Sequence, residues 1–129
     1  MREQHMKSRR SSGTLALAIC SVLATGSAIA AMPFPPGTYG GGAVSITFDG
    51  AGLVQVKKGG TLEVEGSYAF NDDQLEVTDK SGPWACTKAT EKSGTYHWKY
   101  DGGTLTFTPI ADQCKDRAGS LTSQPWKKQ

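Results

Sequence analysis

Few side chains in this sequence are placed to do acid–base, nucleophilic or metal chemistry. His97 is the only histidine beyond residue 30. As a general base or metal ligand it would have to face a site. It alternates with Tyr96, Trp98 and Tyr100, so a strand that buries those three turns His97 to solvent. Glu63 and Glu65 sit two residues apart, and Asp72-Asp73 falls in turn-type sequence. Glycoside hydrolysis needs two carboxyl groups across a cleft, whereas a wetted strand face and a turn account for all four acids. Asp49, Asp72, Asp73, Asp79 and Asp101 do not have EF-hand spacing. Ser81-Gly82-Pro83-Trp84 offers a serine in a turn, but without a Gly-x-Ser-x-Gly elbow and with a single histidine to activate it. Gly40-Gly41-Gly42 leads into strand-type sequence, not into the helix N-terminus that a phosphate loop uses, and reads as a bulge or tight bend. The expectation is a protein that is not an enzyme and takes no cofactor or metal.

The N-terminus narrows where the protein works. Arg2, Lys7, Arg9 and Arg10 form a basic segment, residues 14–25 form an uncharged apolar run, and Ala28-Ile29-Ala30 supplies small residues for cleavage. These are the three parts of a signal peptide, in order. The apolar run is too short to span a hydrocarbon core of ~30 Å as a helix. A retained N-terminal anchor is the competing reading. A lipid anchor on Cys20 is disfavoured, because Ile19 precedes it where a small residue belongs. Residues 1–30 are expected to be a signal peptide and residues 31–129 a single domain, periplasmic or extracellular and without stable membrane insertion after cleavage.

Four of the 14 basic residues and one of the 12 acidic ones lie in the leader, which leaves ten against eleven. A near-neutral domain has no basic stripe for nucleic acid. Cys86 and Cys114 remain after processing, and two cysteines in an exported domain are expected to form a disulfide. The alternatives, a metal site or a redox pair, lack a CxxC and a second histidine.

The elements that position these groups are strands. Apolar residues alternate with polar ones around Val44-Ile46-Phe48, Val54-Val56, Leu62-Val64, Tyr68-Phe70, Leu75-Val77, Tyr96-Trp98-Tyr100 and Leu105-Phe107. Each is the pattern of a strand with one dry and one wet face. Asp49-Gly50, Gly59-Gly60, Asn71-Asp72-Asp73, Ser81-Gly82-Pro83, Ser93-Gly94 and Asp101-Gly102-Gly103 separate them with turn chemistry. This spacing predicts an all-β fold, an antiparallel up-and-down meander closing into a small barrel. One short helical segment is expected at residues 112–121, with Asp112 as its cap and Gly119 as its end. Residues 32–36, rich in proline, should run along the surface or cap one end. Trp126 should fold back over one mouth of the sheet.

The chain resembles a small lipocalin-like (calycin) exported bacterial β-barrel. The resemblance rests on Gly37-Thr38-Tyr39 opening the first strand, on the meander of short strands, and on the closing helical segment that carries Arg117. It implies that Tyr39 takes the place of the tryptophan in the opening Gly-x-Trp of such barrels. Arg117 would then pack across that ring as a barrel closure, a cation–π contact.

Three functional readings compete. The leading one is a monomeric, non-catalytic binding protein for a small apolar or aromatic ligand. Tyr68, Tyr96, Trp98, Tyr100 and Phe107 would line its site, because inward tyrosine hydroxyls need partners. The alternative is an extracytoplasmic interaction or inhibitor module acting through its loops. An enzyme ranks last.

Overall fold

The computed structural model describes residues 33–129. The expected signal peptide and its cleavage site lie outside the described residues. Eight antiparallel strands, each paired with its sequence neighbours, form a closed barrel. They are β1 (Gly37–Gly41), β2 (Val44–Phe48), β3 (Leu53–Lys58), β4 (Thr61–Asn71), β5 (Gln74–Ser81), β6 (Ser93–Asp101), β7 (Thr104–Asp112) and β8 (Trp126–Lys128), with helix α1 (Lys115–Thr122) between the last two. No helix among the described residues is long and apolar enough to cross a membrane.

Closure depends on the shortest strand. β8 pairs with β1 through Tyr39–Lys128 and Gly40–Lys127, and with β7 through Leu105–Trp126 and Thr104–Lys127. Two strand edges that would otherwise be open are thereby removed. Trp126 is thus part of the wall and not a cover over a mouth. Its ring is buried, and its indole N–H donates to the Leu121 carbonyl at 3.0 Å, tying β8 to α1.

The tight turns after β2, β4 and β6 and the proline-rich lead share one end of the barrel. The turns after β1 and β3, the long connection at residues 82–92 and α1 share the other. The first end is plugged. Phe34 is buried, and its ring meets those of Phe48, Tyr68, Phe70 and Trp98 at 4.8–6.1 Å. The Tyr39 hydroxyl donates to the Pro35 carbonyl at 2.8 Å and fixes the lead across that end.

Inward alternation holds for Ile46, Phe48, Val54, Val64, Tyr68, Leu75, Val77, Tyr96, Trp98, Leu105 and Phe107, all buried. It fails at Leu62 and Phe70, which are exposed. Leu62 follows a register shift in the β3–β4 ladder between Val56 and Lys57. Phe70 lies near the β4–β5 turn, where it reaches only the edge of the Phe34 plug.

The helix departs from expectation. It runs from Lys115 to Thr122, so Gly119 lies inside it, and Cys114 stands at the N-cap with no side-chain hydrogen bond. Asp112 does not cap α1 because it belongs to β7 and its carboxylate is held by Arg117.

Candidate functional site

The barrel interior has two different halves. Toward the plugged end the inward side chains are large and aromatic. Tyr68 meets Phe48 edge-on at 5.0 Å, Tyr96 meets Phe107 at 6.3 Å, and Tyr39 meets Phe48 and Tyr100 at 6.3 and 6.4 Å. Toward the opposite end the inward positions of β2–β5 carry Val44, Ile46, Val56, Val64 and Val77, and Val54 lies deeper, paired with Phe48. These branched side chains are too short to meet across a barrel of eight strands. They line a cavity of about 640 Å³. Phe48 forms its floor, and Trp126 and Leu121 also contribute to the lining.

The mouth is built by the long connection and by α1. Pro83, Trp84, Ala85 and Cys86 line it on one side, and Asp116, Ser120, Ser123 and Gln124 on the other. Gly82 permits this approach. Its φ of +117° suits glycine, and a Cβ there would collide with the Glu63 carbonyl. The Trp84 amide donates to that same carbonyl at 3.1 Å, and the indole is half exposed beneath the Lys58 ammonium, 5.6 Å from the ring centroid.

A buried ionic cluster stands in the cavity wall. The Arg117 guanidinium holds Asp112 with two hydrogen bonds, 2.8 Å from Nε to Oδ2 and 2.7 Å from Nη2 to Oδ1, and lies 3.0 Å from Asp79 Oδ2 through Nη1. Two further N–H groups donate to the carbonyls of Glu91 and Lys92 at 2.8 and 3.2 Å. Four of the five guanidinium N–H groups are therefore hydrogen-bonded, and Nη1 also makes the ion pair with Asp79. The Tyr96 hydroxyl also donates to Asp112 Oδ2. The carboxylates anchor the disulfide as well: the Cys86 amide donates to Asp79 at 2.9 Å and the Cys114 amide to Asp112 at 2.8 Å. Cys86 and Cys114 are bonded, with Cα atoms 6.2 Å apart.

Local sequence explains the cluster. Asp79 continues the inward parity of Leu75 and Val77 on β5. Asp112 reaches the interior through a bulge: the β6–β7 register shifts between Thr95 and Tyr96, and one extra β7 residue resets the alternation. Asp112 then lies opposite Gly94, where any side chain would collide with its carboxylate.

Electrostatics follow from burial and pairing. Burial acts to raise the Asp112 carboxyl, but the hydrogen bonds from Arg117, Tyr96 and Cys114 outweigh it and hold the group below the usual carboxylate range. Burial opposes the Arg117 charge too, and the carboxylates reverse that effect and keep it protonated. Burial, followed by the bond to Asp112, raises Tyr96 far above an ordinary tyrosine. Tyr39 is pushed up to about 12, chiefly by burial.

These positions correct two expectations. Arg117 does not close the barrel over Tyr39, because Asp112 and Asp79 take its guanidinium and Tyr39 instead bonds Pro35. Nor do Tyr68, Tyr96, Trp98, Tyr100 and Phe107 line the cavity. Four of the five are buried core, and Tyr100 is half-buried against it. Two of the three tyrosine hydroxyls find protein partners without a ligand: Tyr96 donates to Asp112, and Tyr68 accepts the Gly50 amide at 3.1 Å. His97 faces solvent and lies 3.2 Å from Asp73, also exposed. Sequence reasoning missed the aliphatic lining, Trp84 and the Asp79–Arg117–Asp112 cluster. The available signals were the run of small β-branched residues at inward positions of β2–β5 and an aspartate at inward parity.

Among the described residues no group of three or more histidine, cysteine, aspartate or glutamate side chains is arranged to hold a metal ion. Compared with protein-family models, curated proteins and solved structures, the chain gives no match.

Proposed function

We propose that this chain is an exported, non-catalytic binding protein of lipocalin-like type, and that it holds one small apolar molecule in the aliphatic half of its barrel. The supporting observation is the cavity. At about 640 Å³ it falls within the ~300–1,000 Å³ typical of small-molecule sites. It is bounded by valines and isoleucine, with a mouth between Trp84 and α1. An apolar occupant gains by leaving water, at about 25 cal/mol per Å² of buried apolar surface. The disulfide fits an oxidising compartment, and processing after Ala30 would make Ala31 the first residue of the exported protein.

The test uses N-phenyl-1-naphthylamine, a neutral apolar dye. Its emission should rise on binding and saturate at one dye per chain. Val77→Phe, which fills the cavity from β5, should weaken binding at least tenfold while the far-ultraviolet dichroism is unchanged. If the emission rises without saturation, or the filled variant binds equally well, the cavity is not a binding site. The loop-mediated interaction reading then takes its place.

A further inference from the structure

We propose that the cavity selects apolar molecules carrying one cationic or donating head group, such as a primary alkylamine, and discriminates against alkyl carboxylates. This rests on the binding reading above and names its ligand class.

The argument starts from the Arg117 donors. An arginine in the wall of an apolar cavity suggests a carboxylate ligand, as bidentate pairing is its strength. Here the guanidinium is already held by protein acceptors and its charge is matched by two carboxylates. Asp112 takes two of its N–H groups and the Glu91 and Lys92 carbonyls two more, and Nη1 is ion-paired with Asp79 at 3.0 Å. A carboxylate entering the cavity would leave water and have to approach Arg117 beside the Asp79 carboxylate that already faces it.

The acceptor side is different. The Asp79 side chain is only 4% exposed and belongs to the cavity lining. Its Oδ2 takes both the Cys86 amide and the guanidinium. Its Oδ1 accepts no hydrogen bond from the described residues, although a carboxylate oxygen has two acceptor positions. The cluster places two carboxylates against one guanidinium, a formal charge of minus one beside an apolar volume. In such surroundings a charge is felt more strongly than in water. At the rim Asp116 and Lys58 carry opposite charges. Both lie near solvent, where salt screens them. The sign of the discrimination therefore comes from the interior. The valine lining takes the alkyl chain, and Asp79 takes the ammonium.

Decylamine, decanol and decanoate at neutral pH, each below its aggregation threshold, compete for the same dye. Decylamine should displace it at a concentration at least tenfold lower than decanoate, with decanol between. Asp79→Asn should bring the amine and the acid to within about threefold of each other. Nuclear Overhauser contacts between the amine's α-methylene protons and the Cys86 amide of the wild-type protein place the head group independently of how that variant folds. Equal binding of amine and acid, or tighter binding of the acid, overturns the proposal. So does a preference that survives in folded Asp79→Asn, or a head group found against Phe48 and Val54. If none of the three ligands displaces the dye, or no dye binds, the binding reading itself fails.

Discussion

At the scale of residues, Arg117 has the most consequential environment. Its side chain is 8% exposed, between an Asp79 side chain at 4% and a fully buried Asp112 side chain. Burying charges is costly, and removing one partner leaves the others uncompensated. Arg117→Met should therefore lower the unfolding free energy by about 3–5 kcal/mol, measured by urea denaturation. A loss below about 1 kcal/mol, the range of an exposed ion pair, would show that the cluster is wetter than its geometry implies. Acid provides a second measurement. The folded-state Asp112 carboxyl lies below its ordinary value. Its contribution is thus present above the unfolded pKa of about 3.9 and is lost as pH falls through the folded value. The stability of the wild-type protein should fall more steeply below pH 4 than that of Asp112→Asn. Parallel curves would exclude Asp112 as a source of the acid dependence.

At the scale of elements, the unit that matters is the connection at residues 82–92 together with α1. Neither has a ladder to hold it, and both bound the cavity mouth. The Cys86–Cys114 bond joins them, and the Asp79 and Asp112 carboxylates hold the two half-cystine amides. A loop of this length, residues 86–114, is worth about 3–4 kcal/mol in the chain-entropy account. Replacing both cysteines by alanine should cost a few kcal/mol in urea denaturation and leave the strand content unchanged by circular dichroism. Loss of the β signal at neutral pH would mean that the bond sustains the barrel itself and not only its mouth. β8 carries comparable weight in three residues. It pairs with β1 on one side and β7 on the other, and Trp126 binds it to α1.

At the scale of the whole molecule, the sequence by itself determined the class of fold. Period-2 alternation and glycine- or aspartate-rich turns left an antiparallel meander as the arrangement that buries one face of every strand. Parity alone sent Tyr68, Tyr96, Trp98 and Phe107 inward and His97 outward, and an inward-facing set cannot slip by one residue without burying charges. Tertiary structure decided what parity cannot express. A bulge in β7 turned Asp112 inward, and bulges are set by pairing with a neighbouring strand and not by local pattern. The resemblance pointed Arg117 at the Tyr39 ring, but burial beside two carboxylates outweighs a ring face by the strength of charged hydrogen bonds. Whether the barrel is filled or hollow depends on the sum of side-chain volumes across its axis, and strands distant in sequence face one another there. Valines on β2–β5 leave that sum short at one end, while Phe34 and the aromatic rings complete it at the other. The aromatic side chains were legible as inward-facing, but only packing in three dimensions assigned them to the core and the cavity to the valines.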